Sequence, residues 1–324
     1  MSQTAPGRAL VTGGAGFLGP YVIERLLQRG WSVLTIDNLF SGHRDHLERF
    51  AADPSFAFSQ GDITDGEFLA RTVGEFQPDA VFHLAALHFI PYCIAHPADA
   101  LRVNVLGTQL LLDLLDNTDV RSFILASTAD VYVASETPHS ECDPLGTTNI
   151  YGVTKITGEQ LMKLAEIRCP GVRFFSARLS NLFGPGETNP HVLPDILAGI
   201  RCGSVLSLGN LEPRRDYNYV GDVAEALVKM ATYEGEHRIF NVSTGNGTSV
   251  VDLVHTLERL IGRELRIEID PTKVRRVERM SLVLDNSLIR DELNWTPVIT
   301  LEEGLRRTLA VEPTDARNVA SIFQ

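Results

Sequence analysis

Thr12-Gly13-Gly14-Ala15-Gly16-Phe17-Leu18-Gly19 is the stretch that decides the fold. The short apolar run Ala9–Thr12 leads into it as a buried strand would, and a helical period follows it as far as Arg29-Gly30, where glycine can cap the helix. Glycines at 13, 16 and 19 suit a strand-to-helix turn with three tasks: doubling back tightly, bringing its backbone against a pyrophosphate, and letting the helix lie close on the sheet. The helix N-terminus behind such a turn presents unpaired N–H groups and the positive end of a dipole to phosphate oxygens.

Working outward, the next strand, Val33–Ile36, ends on Asp37, about 20 residues beyond the turn. A carboxylate there accepts hydrogen bonds from an adenosine ribose and repels the additional phosphate of NADP, so NAD is the expected cofactor. Further strands are expected near Phe56–Ser59, Ala80–His83, Phe123–Ala126 and Arg173–Arg178. Helical segments alternate with them, one from about Ala98 to Asp116 and another beginning near Tyr151. That alternation predicts the α/β class, with a doubly wound parallel (Rossmann) sheet covered on both faces.

After Arg178 the rhythm loosens. Asn181-Leu-Phe-Gly-Pro-Gly-Glu-Thr-Asn-Pro190 carries glycine and proline at loop density and marks a crossover. Helical periods then return over Leu193–Arg201, Asp222–Tyr233, Val250–Ile261 and Leu301–Leu309, with strand-like pieces at Ile239–Val242 and Leu265–Ile269. The expected division is an NAD-binding domain over residues 1–178, with return segments near 215–245, and a smaller α+β substrate-binding domain over residues 179–324.

Composition narrows the functional classes. With 324 residues the chain can bury a sizeable core, and its net charge of −12 opposes general attraction to nucleic acid or an anionic membrane. An anionic substrate must therefore meet a local cluster of arginine or lysine. Cys93, Cys142, Cys169 and Cys202 form neither a C-x-x-C pair nor a disulfide framework and are expected to be buried free thiols of a reducing compartment. The N-terminus lacks a signal-peptide pattern and no apolar run approaches the roughly 18 residues of a membrane span, so a cytoplasmic location is expected. No metal is expected, because His88 and His96 lack an accompanying pattern of carboxylate or cysteine ligands.

Tyr151-Gly-Val-Thr-Lys155 places a phenol and an ammonium on one helical face. A phenol has a reference pKa of about 10 and is a poor base at neutral pH unless its anion is stabilised. Lys155, helped by a positive nicotinamide ring, is expected to provide that stabilisation and make Tyr151 an acid/base for a sugar or alcohol hydroxyl. Ser127 or Thr128, closing the fifth strand, can bring a hydroxyl into the same cleft to share the proton.

Taken in order, these features resemble the extended short-chain dehydrogenase/reductase family, and within it the NAD-dependent nucleotide-sugar epimerases and dehydratases. The resemblance runs from about Arg8 to Leu309 and includes Asp37-Asn-Leu, Gly61-Asp-Ile, His83-Leu-Ala-Ala, Asn104-Val-Leu-Gly-Thr, Arg178-Leu-Ser-Asn-Leu-Phe-Gly-Pro, Arg215-Asp-Tyr-Asn-Tyr-Val-Gly-Asp and Leu293-Asn-Trp-x-Pro. It implies a catalytic set of Thr128, Tyr151 and Lys155, with Asn104 supporting the active-site backbone. For the cofactor it implies Gly13, Gly16, Phe17, Leu18 and Gly19 of the turn, then Asp37, Asn38, Leu39, Ser41 and Gly42. Asp62, Ile63, Leu84, Ala85, Ala86, His88, Asn104, Tyr151 and Lys155 complete that set.

For a nucleotide-diphosphate sugar, with UDP as the expected nucleotide, the resemblance implies Thr128, Asn181, Leu206, Leu208, Arg215 and Arg275, with Arg214 and Arg276 as adjacent alternatives. Guanidinium forks suit a diphosphate. The implied reaction is a 4-epimerisation. Tyr151 takes the proton of the C4 hydroxyl, hydride passes to NAD, and a transient 4-keto sugar is reduced on its other face. A UDP-hexose or UDP-hexuronate is the expected substrate, and a homodimer through the helices near Ala98–Leu115 and Tyr151–Ile167 is implied.

Several residues depart from the family pattern. Where many dehydratases read Thr-Asp-Glu, this chain reads Thr128-Ala129-Asp130. Ala129 removes the usual acid, while Asp130 keeps a carboxylate nearby and leaves a 4,6-dehydratase or decarboxylase as the alternative. Val133 stands where glycine is usual, and Leu208 where an aromatic residue often stacks on the nucleobase. A non-catalytic NAD-binding regulator is disfavoured because Tyr151 and Lys155 are both intact.

Overall fold

The computed structural model describes residues 7–187, 191–203, 205–273 and 279–311. Along the first part run β1 (Arg8–Thr12), α1 (Gly19–Gln28), β2 (Ser32–Asp37), β3 (Phe56–Gln60), α2 (Gly66–Phe76) and β4 (Ala80–His83). They are followed by α3 (Ile90–Ala95), α4 (Pro97–Leu101), α5 (Gly107–Leu114), β5 (Ser122–Thr128), α6 (Ile150–Arg168) and β6 (Arg173–Leu179). Beyond the crossover come β7 (Asn181–Phe183), α7 (Val192–Cys202), β8 (Leu206–Leu208), β9 (Arg214–Tyr219), α8 (Val220–Ala231) and β10 (Ile239–Val242). The last described elements are β11 (Gly247–Ser249), α9 (Val250–Ile261), β12 (Ile267–Ile269), β13 (Ser281–Leu282), α10 (Ser287–Leu293) and α11 (Leu301–Ala310).

The expected doubly wound sheet is present as seven parallel strands in the order β3-β2-β1-β4-β5-β6-β10. The winding direction reverses between β1 and β4, so the carboxyl ends of these two strands open a crevice for a ligand. Each face of the sheet carries a helical layer. Val22, Ile23 and Leu26 of α1 pack with Val223, Ala224 and Leu227 of α8 on one face. On the other, Leu69 of α2, Leu111 and Leu112 of α5 and Met162 and Ala165 of α6 form the second core. A third core, with Phe183, Leu193, Ile196, Tyr219, Leu253, Leu257 and Leu305, holds the smaller unit.

Local chemistry explains the helix ends that matter here. In α1, Pro20 occupies the first turn, where its missing N–H costs nothing, and Gly30 follows the last turn at φ 77°, one residue beyond the Arg29 cap. Asn149 caps α6, its Oδ1 accepting from Gly152 N at 2.8 Å. The segment expected as one helix from Ala98 to Asp116 contains a π-helical stretch, Arg102–Leu106, between α4 and α5. The widened turn carries Asn104, and such local irregularities are held in place by tertiary contacts rather than by sequence period.

The chain returns to the large sheet twice after the crossover. β10 pairs with β6 and α8 packs against α1; then Ile289 and Leu293 of α10 with Trp295 join the same core, a second return outside the 215–245 stretch read from the sequence. The strand read at Leu265–Ile269 is confined to β12. Among the described residues no helix is long and apolar enough to cross a membrane. All four cysteines are free, but only Cys93 and Cys169 are buried; Cys142 and Cys202 are exposed, contrary to the expectation for four buried thiols.

Candidate active site

A cavity of about 1320 Å³ opens at the carboxyl ends of the sheet strands. Its floor at one end is the glycine turn. Gly13 adopts φ +73°, and a Cβ there would lie 2.7 Å from Ala85 N; a Cβ on Gly19 would lie 2.5 Å from Gly14 Cα. Both positions therefore exclude any side chain. No side chain caps the N-terminus of α1, leaving its N–H groups for an anionic ligand.

Asp37 closes this end. Its Oδ2 accepts from Ala15 N at 3.0 Å and its Oδ1 from Leu39 N at 2.8 Å, and burial outweighs those two bonds in raising its pKa. Asn38 donates to Asp62 at 2.9 Å, and Asp62 also accepts from Thr64 N at 2.8 Å, which holds its carboxyl below the usual range despite partial burial. Phe17, Leu18, Ser41, Gly42, Ile63, Leu84, Ala85, Ala86 and His88 all line the cavity. Leu39 does not: it turns at φ 60° and packs toward the core under α1. A floor of bare backbone with an acid on the neighbouring strand end fits a dinucleotide.

Asn104 contributes at one remove. Its Oδ1 accepts from Leu87 N at 2.7 Å, and its Nδ2 donates to Leu87 O at 2.8 Å and to Thr154 Oγ1 at 3.0 Å. It is buried and does not line the cavity; it clamps the strand-four loop to α6. Beneath the loop, His83 bridges Thr12 at 2.8 Å and Thr108 at 2.9 Å, and burial pushes its pKa down to about 3, so it is a neutral spacer.

Thr128, Tyr151 and Lys155 share the cavity wall at the other end. Lys155 Nζ lies 5.8 Å from the centroid of the Tyr151 ring. Burial pushes the phenol well above its ordinary value, the Asp130 carboxylate adds to the rise, and a hydrogen bond with Thr128 opposes it. Burial also lowers the Lys155 ammonium to about 8, against raising influences from Cys93 and Glu159. Among this chain's own groups desolvation dominates both members of the pair.

Ser127, the alternative strand-end hydroxyl, is tied elsewhere. It donates to Glu159 Oε1 at 2.6 Å; Arg178 forks onto the same carboxylate through Nε at 3.1 Å and Nη2 at 2.7 Å. Arg178 Nη1 continues to Tyr132 Oη at 2.9 Å, and Tyr132 donates to Asn241 Oδ1 at 2.6 Å. Glu159 and Arg178 are each 2 % exposed, so this chain of polar groups runs through dry interior. Sequence reasoning missed Glu159, although it falls one helical turn beyond Lys155 on the same face of α6.

In the substrate half, Asn181 and Arg215 line the cavity. Leu206 and Leu208 do not: both ends of β8 are buried in the core of the smaller unit, because a three-residue strand turns its alternate side chains to one face. Arg275, with the neighbouring Arg276, lies outside the described residues. Glu187, His191 and Arg279, none of them singled out from the sequence, also line the cavity. Burial pushes the Glu187 carboxyl up to about 8. The His88 and His191 rings stand 6.5 Å apart, and no group of three or more potential metal ligands occurs among the described residues.

Comparison with known proteins places this geometry. The family described as GDP-mannose 4,6 dehydratase matches residues 10–308. The chain is 30% identical over 313 residues to UDP-glucose 4-epimerase of Mycolicibacterium smegmatis, covering 93% of this chain and 97% of that one. Among solved structures it is similar to UDP-glucose 4-epimerase of Thermotoga maritima with UDP-glucose, at TM-score 0.85 and 29% identity, covering 93% of this chain and 97% of the other. UDP-glucose 4-epimerase of Bifidobacterium longum in complex with NAD+ and UDP gives TM-score 0.85 at 25% identity, with 93% and 97% covered.

Proposed function

The chain belongs to the GDP-mannose 4,6-dehydratase family of extended short-chain dehydrogenases/reductases, and on that footing we propose that it is an NAD-dependent nucleotide-sugar 4-epimerase taking a UDP-hexose or UDP-hexuronate. The observation that carries this reading is the sharing of one cavity by the glycine turn with Asp37 at one end and Thr128, Tyr151 and Lys155 at the other. The UDP-glucose 4-epimerases of Mycolicibacterium smegmatis and Thermotoga maritima resemble the chain over nearly their whole length, which supports the same reading.

Tyr151 Oη holds the proton that moves. It accepts the proton of the sugar's C4 hydroxyl as that carbon is oxidised and returns it when the 4-keto sugar is reduced on its other face. Thr128, hydrogen-bonded to Tyr151, holds the substrate hydroxyl and the phenol together. Lys155 places a cation beside the phenolate that forms. NAD is the cofactor; Gly13, Gly16, Gly19 and Asp37 would hold it, and when bound it would supply the hydride chemistry and a positive charge that would help Lys155 favour the Tyr151 phenolate. Arg215 gives the diphosphate a guanidinium in an otherwise acidic protein.

One observation favours a second reading. Asp130 lies in the same wall and close enough to Tyr151 to raise its pKa, so a carboxylate is available for the further proton transfers of a 4,6-dehydratase or decarboxylase. Leu101 of α4, Leu106 of the π-helical stretch and Val153, Leu164 and Ile167 of α6 are exposed, and a second copy of this chain is the occupant proposed for that apolar face.

The test is incubation of the purified protein with UDP-hexoses and UDP-hexuronates, followed by NMR. A product of unchanged mass with C4 inverted supports the epimerase; loss of water or carbon dioxide transfers the assignment to the Asp130 chemistry. Tyr151→Phe should retain NAD and lose turnover by a factor on the order of 10²–10⁴. Unimpaired turnover in that variant would overturn both readings.

A further inference from the structure

Arg279 ties the smaller unit to the carboxyl end of β5. It immediately precedes the β13 region, where Arg214 N of β9 donates to Met280 O at 2.8 Å, so its backbone belongs to the smaller unit. Its Nη2 donates to the carbonyl of Tyr132, one 3-10 turn (Ala129–Val131) beyond Thr128. Its Nη1 is buried with no hydrogen-bond partner among the described residues, and the side chain lines the cavity. A guanidinium held by one arm with the other desolvated and unmatched is an unfavourable arrangement for the protein alone, and it becomes favourable when an anion takes the second arm.

The position of that arm bears on which anion. A sugar whose C4 hydroxyl meets Tyr151 and Thr128 directs its diphosphate, carried on C1, to the opposite side of the ring. Arg279 is anchored at Tyr132, just past the turn that follows Thr128, which puts its guanidinium at the Thr128 end of the cavity; of the two neighbours of C4, C3 bears a hydroxyl in either sugar class, and the substituent of C5 alone separates a hexose from a hexuronate. We propose that Arg279 is the specificity-determining residue of this site and that it selects a nucleotide sugar with a carboxylate at C5, a hexuronate, over the corresponding hexose. This rests on the nucleotide-sugar reading above and deepens it. A hydroxymethyl group offers the arm a neutral acceptor, whereas a carboxylate offers a charge-assisted one. Five acids line the cavity: Asp37, Asp62 and Asp99, the last paired with Arg102, and then Asp130 and Glu187. Glu187 is uncharged at neutral pH because burial pushes it up to about 8, and Asp130 has an interaction of its own.

The experiment is calorimetric titration of the NAD-bound protein carrying Tyr151→Phe, which prevents turnover, with UDP, UDP-glucose and UDP-glucuronate. The expected result is UDP-glucuronate bound at least about tenfold tighter than UDP-glucose, as a charged hydrogen bond replaces a neutral one. Arg279→Met should erase that ratio while leaving UDP and UDP-glucose unchanged, and Arg279→Lys should restore part of it. Equal affinity for the two sugars overturns the proposal without any variant, so a misfolded Arg279→Met does not protect it. Equal weakening of all three ligands in Arg279→Met also overturns it, by assigning Arg279 to the diphosphate. Failure of all three to bind the parent protein removes the nucleotide-sugar reading itself, an outcome distinct from equal affinity.

Discussion

The Ser127 hydroxyl donates to Glu159 Oε1 at 2.6 Å, joining the end of β5 to the helix that carries Tyr151 and Lys155. Ser127 is adjacent to Thr128, and Glu159 is one turn beyond Lys155, so this bond, together with the one between Thr128 and Tyr151, holds the two sources of catalytic groups against each other. Arg178 neutralises the carboxylate from β6, which is why a charge can reside there at all.

Breaking that arrangement should be costly. Glu159→Gln leaves Arg178 buried without its counter-charge and is expected to lower unfolding free energy by about 3–5 kcal/mol, whereas Ser127→Ala removes one hydrogen bond and should cost about 1–3 kcal/mol. Denaturant titration at fixed NAD concentration measures both. Because Glu159 raises the Lys155 pKa, its loss should also move the alkaline limb of the turnover profile to lower pH, as Lys155 loses its proton earlier. An unmoved limb would separate Glu159 from Lys155.

Gly13→Ala tests the turn. The substitution forces a side chain into φ +73° and puts a Cβ 2.7 Å from Ala85 N, a backbone atom that cannot swing aside. Strain of about 1–3 kcal/mol is expected together with loss of retained cofactor. The nucleotide released on denaturing the purified variant, quantified by absorbance, should fall well below that of the parent.

Ligand affinity should depend on pH through Glu187. Its carboxyl is raised to about 8, so below that pH the cavity wall is neutral there, and above it a negative charge faces an anionic substrate. UDP affinity should therefore weaken as pH rises through about 8, and Glu187→Gln should flatten that dependence. The same shift acts on stability. A carboxyl whose folded pKa lies above its unfolded value binds more protons when folded, so its contribution is lost as pH climbs from about 4 to about 8.

The apolar face of α6 predicts self-association. Ile167 is 78 % and Leu164 62 % exposed on a helix whose opposite side packs on the sheet. Sedimentation should show a dimer, and Leu164→Glu with Ile167→Glu should yield a folded monomer. A monomeric parent protein would refute the assignment of that face to a second copy.

Much of the sheet was readable in advance because its strands are buried on both faces and announce themselves as apolar runs; Ala80–His83 and Ile239–Val242 have the bounds read from sequence. Boundaries elsewhere moved by a residue or two, as helix and strand ends depend on caps and neighbours rather than period. The π-helical stretch at Arg102–Leu106 gave no local signal, because Asn104 is held there by Leu87 and Thr154, groups distant along the chain. Leu206 and Leu208 were read as substrate contacts, and the packing of β8 turned both inward.

The sequence by itself determined the strand-turn-helix at Gly13–Gly19, Asp37 on the next strand end and the Tyr151/Lys155 face, because each is a relation between near neighbours set by backbone geometry and side-chain chemistry. Only the tertiary structure decided that Ser127 turns to Glu159 while Thr128 faces the cavity, that burial raises the Tyr151 phenol, and that Arg279 of the smaller unit reaches the carbonyl of Tyr132. Those outcomes depend on desolvation and on contacts between residues remote in the chain, quantities that come into existence only when the sheet, α6 and the smaller unit are packed together.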